Sequence, residues 1–190
     1  MQETNHSQSD VGLLLRAVEF AANKHRDQRR KDVDASPYIN HPIKVSSLIA
    51  NIGRVFDIDV LMAAILHDTI EDTCTTKDEL ENTFGKEIAR IVLEVTDDKN
   101  LPKMKRKALQ IEHAPHMSEK AKIVKIADKC SNIEDVCNSP PSDWSLKRRL
   151  DYLNWAEKVV QGCRGVNEEM ESYFSGTINS YRKKICMALG

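Results

Sequence analysis

Apolar residues recur at intervals of three and four along nearly the whole chain, and strand-type alternation is hard to find anywhere. That pattern predicts an all-α fold, a single helical bundle of about eight to ten helices. Helices are expected over 11–30, from His41-Pro42 to Ile52, and from Asp57 or Asp59 to about residue 71. Others are expected from Thr75 or Thr76 to Gly85, and over 86–96, 103–113, 118–137, 143–162 and 167–187. Pro115 and Pro140-Pro141 mark breaks, and Asp32 to Asn40 and Thr96 to Pro102 read as loops. The polar opening, residues 1–10, reads as a disordered segment with Asp10 as an N-cap, and 11–187 as one domain. At 190 residues the chain is long enough to bury a sizeable core.

Composition narrows the function classes. A net charge of −1 gives no global field for nucleic acid or an anionic membrane. Neither is expected as a partner, and phosphates would have to be met by local cationic clusters. The five cysteines (74, 130, 137, 163, 186) are odd in number and lack Cys-x-x-Cys pairing, which suits reduced thiols in a cytoplasmic protein. No apolar run reaches membrane-spanning length. Oligomeric state is not legible.

Chemistry concentrates in the run Leu61-Met-Ala-Ala-Ile-Leu-His-Asp-Thr-Ile-Glu-Asp72, where an apolar helical stretch ends in a histidine and three carboxylates. Burying such groups is costly unless something pairs with them, and a cation is the obvious partner. At about 100° per residue, His67, Asp68 and Glu71 fall within about 100° of helical arc, with Asp72 just beyond. One turn can thus offer two metal ligands and then a carboxylate to handle a water. His41 and Asp128 lie on two other helices and complete a mixed N/O set suited to Mn²⁺, Fe²⁺ or Zn²⁺. Spacing alone leaves both a shared metal site and separate structural side chains open. The polar stripe Lys125, Asp128, Asn132 and Asp135 on helix 118–137 could line a cavity or simply face water.

Three segments carry a family resemblance: Pro37-Tyr-Ile-Asn-His-Pro42, Leu66-His-Asp-Thr-Ile-Glu-Asp72 and Ile126-Ala-Asp-Lys-Cys-Ser-Asn132. They resemble the three motifs of the HD hydrolase domain of RelA/SpoT homologs. The segment Val95-Thr-Asp-Asp-Lys-Asn-Leu-Pro102 and the length are similar to the small, hydrolase-only branch, which includes the metazoan SpoT homolog and the bacterial small alarmone hydrolases. The resemblance spans about residues 11–170. It implies a cytoplasmic (p)ppGpp 3′-pyrophosphohydrolase that uses Mn²⁺, with no segment for a synthetase domain. His41, His67, Asp68 and Asp128 would then be metal ligands, and Glu71 and Asp72 would orient or deprotonate the attacking water. The implied reaction is in-line attack on the phosphorus bonded to the ribose 3′ oxygen, releasing pyrophosphate.

The resemblance also implies a nucleotide site. Three cationic clusters are available, Arg26/Arg29/Arg30/Lys31, Lys103/Lys105/Arg106/Lys107 and Lys147/Arg148/Arg149, most of whose members should be solvated. Arg30 and Lys31 match residues lining the base pocket, Lys103 and Arg148 match residues near phosphates with Tyr152 one turn on, and Asn132 closes the third motif. Cys130-Ser131 stands where a bulkier apolar or aromatic pair is more usual, which bears on the shape of the base or ribose pocket. Two other readings follow the same residues: removal of the 2′-phosphate of NADPH at the same site, and a non-catalytic nucleotide-binding module.

Overall fold

A computed structural model describes residues 9–32 and 34–189. Residues 1–8, for which a disordered lead-in is expected, lie outside the described residues. Among the described residues, ten α-helices and one 3₁₀ turn account for the regular structure, and there is no strand beyond an isolated bridge between Arg29 and Pro37. The helices are α1 (Asp10–Lys24), α2 (Asn40–Asn51), α3 (Ile58–Leu66), α4 (Thr69–Asp72), α5 (Lys77–Phe84), α6 (Lys86–Val95), α7 (Lys103–His113), α8 (Glu119–Asn138), α9 (Leu146–Cys163) and α10 (Glu168–Leu189). The 3₁₀ turn, Ala114–His116, sits around Pro115.

Side-chain caps set most starts. Asp57 accepts from the main-chain N–H groups of Asp59 and Val60, Thr76 from Glu79, Ser118 from Ala121 and Ser145 from Arg148. Ser9, not Asp10, caps α1, and Asp10 is the first helical residue.

Two helices are shorter than expected. The first stops at Lys24 because the chain turns into a closed loop. Arg30 N–H donates to Ser36 O at 2.8 Å and Tyr38 N–H to Gln28 O at 3.1 Å, so the basic cluster 26–31 stands on a loop. The helix expected to run to residue 71 breaks at His67-Asp68 into α3 and α4. There the His67 ring nitrogen Nδ1 lies 2.8 Å from Ala64 O and the Thr69 hydroxyl donates to Leu66 O at 2.7 Å, which occupies carbonyls that a continuing helix would use.

Two helices are buried through most of their length. Every residue of α3 from Val60 to Leu66 is buried, and α3 packs on α1, α2, α6 and α8. Helix α8 packs on α2, α3, α6, α9 and α10, so its polar stripe is divided: Lys125 and Asp128 are buried, as is the neighbouring Lys129, whereas Asn132 and Asp135 are half-buried and line a cavity. The end of α3, the start of α2 and the middle of α8 therefore meet inside the bundle. No described helix is long and apolar enough to cross a membrane.

Candidate active site

His41 enters from the first turn of α2, His67 from the end of α3 and Asp128 from the middle of α8. They are 3%, 5% and 7% exposed. One donor atom from each lies within 4.8 Å of the others. His41 Nε2 is 3.2 Å from Asp128 Oδ1 and 3.7 Å from Asp68 Oδ2, and His67 Nε2 is 3.1 Å from Asp68 Oδ2 and 3.8 Å from Asp128 Oδ1. All four residues expected to share a metal thus meet, with Asp68 just outside the tighter three-residue group.

The rings are oriented from behind. His41 Nδ1 pairs with the Ser131 hydroxyl at 3.0 Å and His67 Nδ1 with Ala64 O. Both Nε2 atoms are thereby turned toward the carboxylates, the arrangement that second-shell partners impose on metal-binding histidines. His67 Nε2 is buried and has no hydrogen-bond partner. An orphaned imidazole nitrogen facing two carboxylates fits a divalent cation, which takes the lone pair that a proton would otherwise hold.

Electrostatics agree with that fit. Burial and the nearby Arg30 guanidinium keep the His41 pKa below the usual imidazole value, against the pull of Asp128 and Asp68. At His67 burial also opposes the charge, but Asp68 and Asp128 prevail and push it up to about 9. Both carboxylates are held well below the ordinary range. The opposing cost of burial is overcome by His67 and His41 at Asp68, and by Lys129 and the two histidines at Asp128.

Glu71 and Asp72 stand beside this group at the end of α4. Glu71 Oε2 accepts from the main-chain N–H of Asp97 at 3.0 Å, and Lys99 and Arg106 lie within 3.8 Å of its other oxygen. Asp72 pairs with Lys99 and accepts from the Tyr38 hydroxyl at 2.8 Å. Both carboxylates line a cavity of about 560 Å³ together with Arg30, Lys31, Asn132 and Tyr152. A second cavity of about 300 Å³ shares Trp144 and Tyr152 with the first and holds Lys103, Arg106, Lys107 and Arg148. All twelve residues singled out from the sequence therefore lie in the four-residue group or along these two cavities. Of the third cationic cluster only Arg148 lines them, and Arg26 and Lys147 are exposed.

Several site residues were not anticipated. Lys129 is buried, pairs with Asp128 at 3.0 Å and lies 4.6 Å from the centre of the Trp155 ring. Trp144, Tyr152 and Trp155 form a tilted aromatic row, with Lys107 4.4 Å from the Trp155 ring centre and Arg148 4.5 Å from that of Trp144. Tyr152 is expected from its place one turn after Arg148 on α9, but Trp144, which precedes α9, and Trp155 carry no local motif. Arg30 is not free-standing: it donates to Asn132 Oδ1 at 3.0 Å and Asp135 Oδ2 at 2.7 Å. Cys130 is buried in the core, and Ser131 is buried behind His41; neither lines the two cavities.

Fold and site together define an all-α protein built around a buried histidine–aspartate centre beside a cleft lined by cations and carboxylates. Residues 17–154 match the HD domain family. The guanosine-3′,5′-bis(diphosphate) 3′-pyrophosphohydrolase MESH1 of Xenopus tropicalis is 53% identical over 163 residues, 86% of this chain and 91% of that protein. The MESH1 of Homo sapiens is 52% identical over the same shares of each chain. A solved structure described as a metazoan ortholog of SpoT that hydrolyses ppGpp superimposes with a TM-score of 0.86 at 42% identity, covering 88% of this chain and 94% of that one. The chain belongs to the HD domain family, in the branch of the metazoan SpoT homologs.

Proposed function

We propose that the chain is a metal-dependent guanosine-3′,5′-bis(diphosphate) 3′-pyrophosphohydrolase, with residues 11–187 acting as one HD-type hydrolase domain. The observation that carries this reading is the buried His41/His67/Asp128 group beside a cleft lined by both cations and carboxylates, in a chain whose relatives at 52–53% identity bear that activity in their names. His41, His67, Asp68 and Asp128 hold one divalent ion. Mn²⁺ is the choice, and Zn²⁺ or Fe²⁺ also suits two imidazoles and two carboxylates. When bound, the ion supplies a water of lowered pKa and offsets charge on the phosphoryl oxygens.

The chain's own residues do the rest. Glu71, fixed by the Asp97 N–H, and Asp72 orient the attacking water and take its proton. Attack is on the phosphorus bonded to the ribose 3′ oxygen. That P–O bond breaks in line, the nucleoside 5′-diphosphate or triphosphate keeps the 3′ oxygen, and pyrophosphate is released. Arg30, held by Asn132 and Asp135, offers a planar guanidinium to the purine, with Lys31 beside it. Lys103, Arg148 and Tyr152 meet phosphates in the adjoining cavity, and Asn132 supports the nucleotide from the floor.

Purified protein with Mn²⁺, assayed against ppGpp, pppGpp and NADPH in parallel, tests the reading. The expected outcome is the highest kcat/KM for ppGpp, release of pyrophosphate, and loss of both turnover and bound metal in His67→Ala with the fold retained. A ratio clearly favouring NADPH overturns the alarmone as the main substrate. Nucleotide binding without turnover of any of the three overturns the enzyme reading in favour of a non-catalytic module.

A further inference from the structure

Tyr38 ends the closed loop that follows α1, and its ring is confined on several sides. It lies against the buried imidazole of His25, with centroids 4.8 Å apart and planes 26° apart. The Arg30 guanidinium carbon is 5.6 Å from its centre. His25 Nδ1 pairs with Gln28 Oε1 at 2.7 Å, and Gln28 donates in turn to the main-chain oxygen of Asp72 at 2.5 Å. Ring, loop and the end of α4 therefore form one connected unit.

The Tyr38 hydroxyl sits between two carboxylates. It is 2.7 Å from Asp68 Oδ2 and 2.8 Å from Asp72 Oδ2. Asp68 precedes the single turn α4 and Asp72 ends it, four positions apart, where like charges repel. A phenol has one proton, so it donates to one oxygen at a time, yet its position fixes the distance of both. Asp68 belongs to the histidine–aspartate group and Asp72 faces the larger cavity. The hydroxyl is thus the direct link between the residues that would hold a cation and one that would handle the water.

We propose that Tyr38 is a positioning residue for hydrolysis, whose hydroxyl sets the separation of Asp68 and Asp72. The inference rests on the hydrolase reading above and deepens it. Without the hydroxyl, Asp68 loses a hydrogen-bond donor that orients it, and Asp72 is left to swing toward Lys99, its other partner.

Tyr38→Phe keeps the ring, its stacking on His25 and its place near Arg30, and removes only the bridge. Calorimetric titration with Mn²⁺ alone needs no substrate and so stands apart from the identity of the substrate. There, Tyr38→Phe is expected to bind one ion with Kd weakened by about tenfold, as loss of an outer partner of a ligand does, while Asp72→Asn binds as wild type does. With ppGpp at saturating Mn²⁺, kcat of Tyr38→Phe is expected to fall about tenfold with KM within about twofold of wild type. Adding Tyr38→Phe to Asp72→Asn should then cost little more, because the two act as a unit. Unchanged Mn²⁺ affinity, unchanged kcat, or a rise in KM alone overturns the proposal, and so does full additivity in the double variant. A wild type that binds Mn²⁺ but leaves ppGpp intact overturns the hydrolase reading, and the metal titration still decides whether Tyr38 orients Asp68.

Discussion

Glu71 is half-buried among other carboxylates. Burial first, and then the charges of Asp68, Asp97 and Asp72, push its carboxyl up to about 7, against the pull of the Asp97 N–H. The folded value lies above the ordinary glutamate value, so the protonated group favours the folded chain. Its contribution is present at low pH and lost as pH rises through about 7. Glu71→Gln cannot ionise. In chelator, it should therefore melt above wild type at pH 8, and the gap should narrow steadily as pH falls from about 7 toward the ordinary glutamate value. A variant that melts below wild type at pH 8 would show that the ionised carboxylate is a net stabiliser there. With Mn²⁺ and ppGpp, the same change should lower kcat by about 10²–10⁴-fold, the range for a general acid–base group. The role of a single side chain is less legible in the sequence than its identity. His41, His67, Asp68 and Asp128 were grouped through motif resemblance, since spacing cannot show that three helices converge. Tyr38 stood inside one of those motifs, but its bridge needs the loop to close before it exists.

At the scale of elements, caps were the readable signal. Asp57 and Thr76 place helix starts because their side chains answer a local need, an unpaired N–H two or three residues on, whereas Ser145 moves the start expected at 143 to Leu146. The break between α3 and α4 was not readable, because the apolar pattern runs straight through it and the interruption comes from His67 and Thr69 side chains bonding back to carbonyls. Burial of Lys125 and Asp128 on α8 is not legible for a similar reason: α8 packs against α2, α3 and α6, which lie earlier in the chain and are distant in sequence. Gly85 is a third case, local and strict. It ends α5 and opens α6 at φ 92° and ψ 164°, a conformation closed to side-chain-bearing residues, although a Cβ there would meet no atom within 4 Å. Gly85→Ala should thus destabilise through the backbone alone, by about 1–3 kcal/mol. Denaturant unfolding measures this, and Mn²⁺ affinity and KM should stay as in wild type because the α5–α6 junction lines neither cavity. A neutral effect on stability would mean that the junction relaxes to another conformation.

The whole molecule places its costliest groups where its most buried helices meet. Two imidazoles and two carboxylates at the junction of α2, α3 and α8 replace apolar packing at the centre of the bundle, so cohesion there depends on what joins them. A cation held by all four residues would cross-link those three helices, and it would bind the folded chain far better than the unfolded one. Linkage then gives the size of the effect: free ion at about one hundred times Kd adds about 2.7 kcal/mol. For a domain of this size about 1 kcal/mol moves Tm by about 2–4 °C, so Mn²⁺ should raise Tm by about 5–11 °C over the chelated protein. Asp128→Ala should abolish that rise, because it removes the donor nearest His41 Nε2. Glu71→Gln should preserve it, because Glu71 is held by the Asp97 N–H outside the ligand group. The pair of melts separates a metal that organises the bundle from one that touches only its surface. A Tm insensitive to Mn²⁺ in wild type, or a rise that survives in Asp128→Ala, would place the ion elsewhere and dissolve the link between the buried centre and the cleft above it.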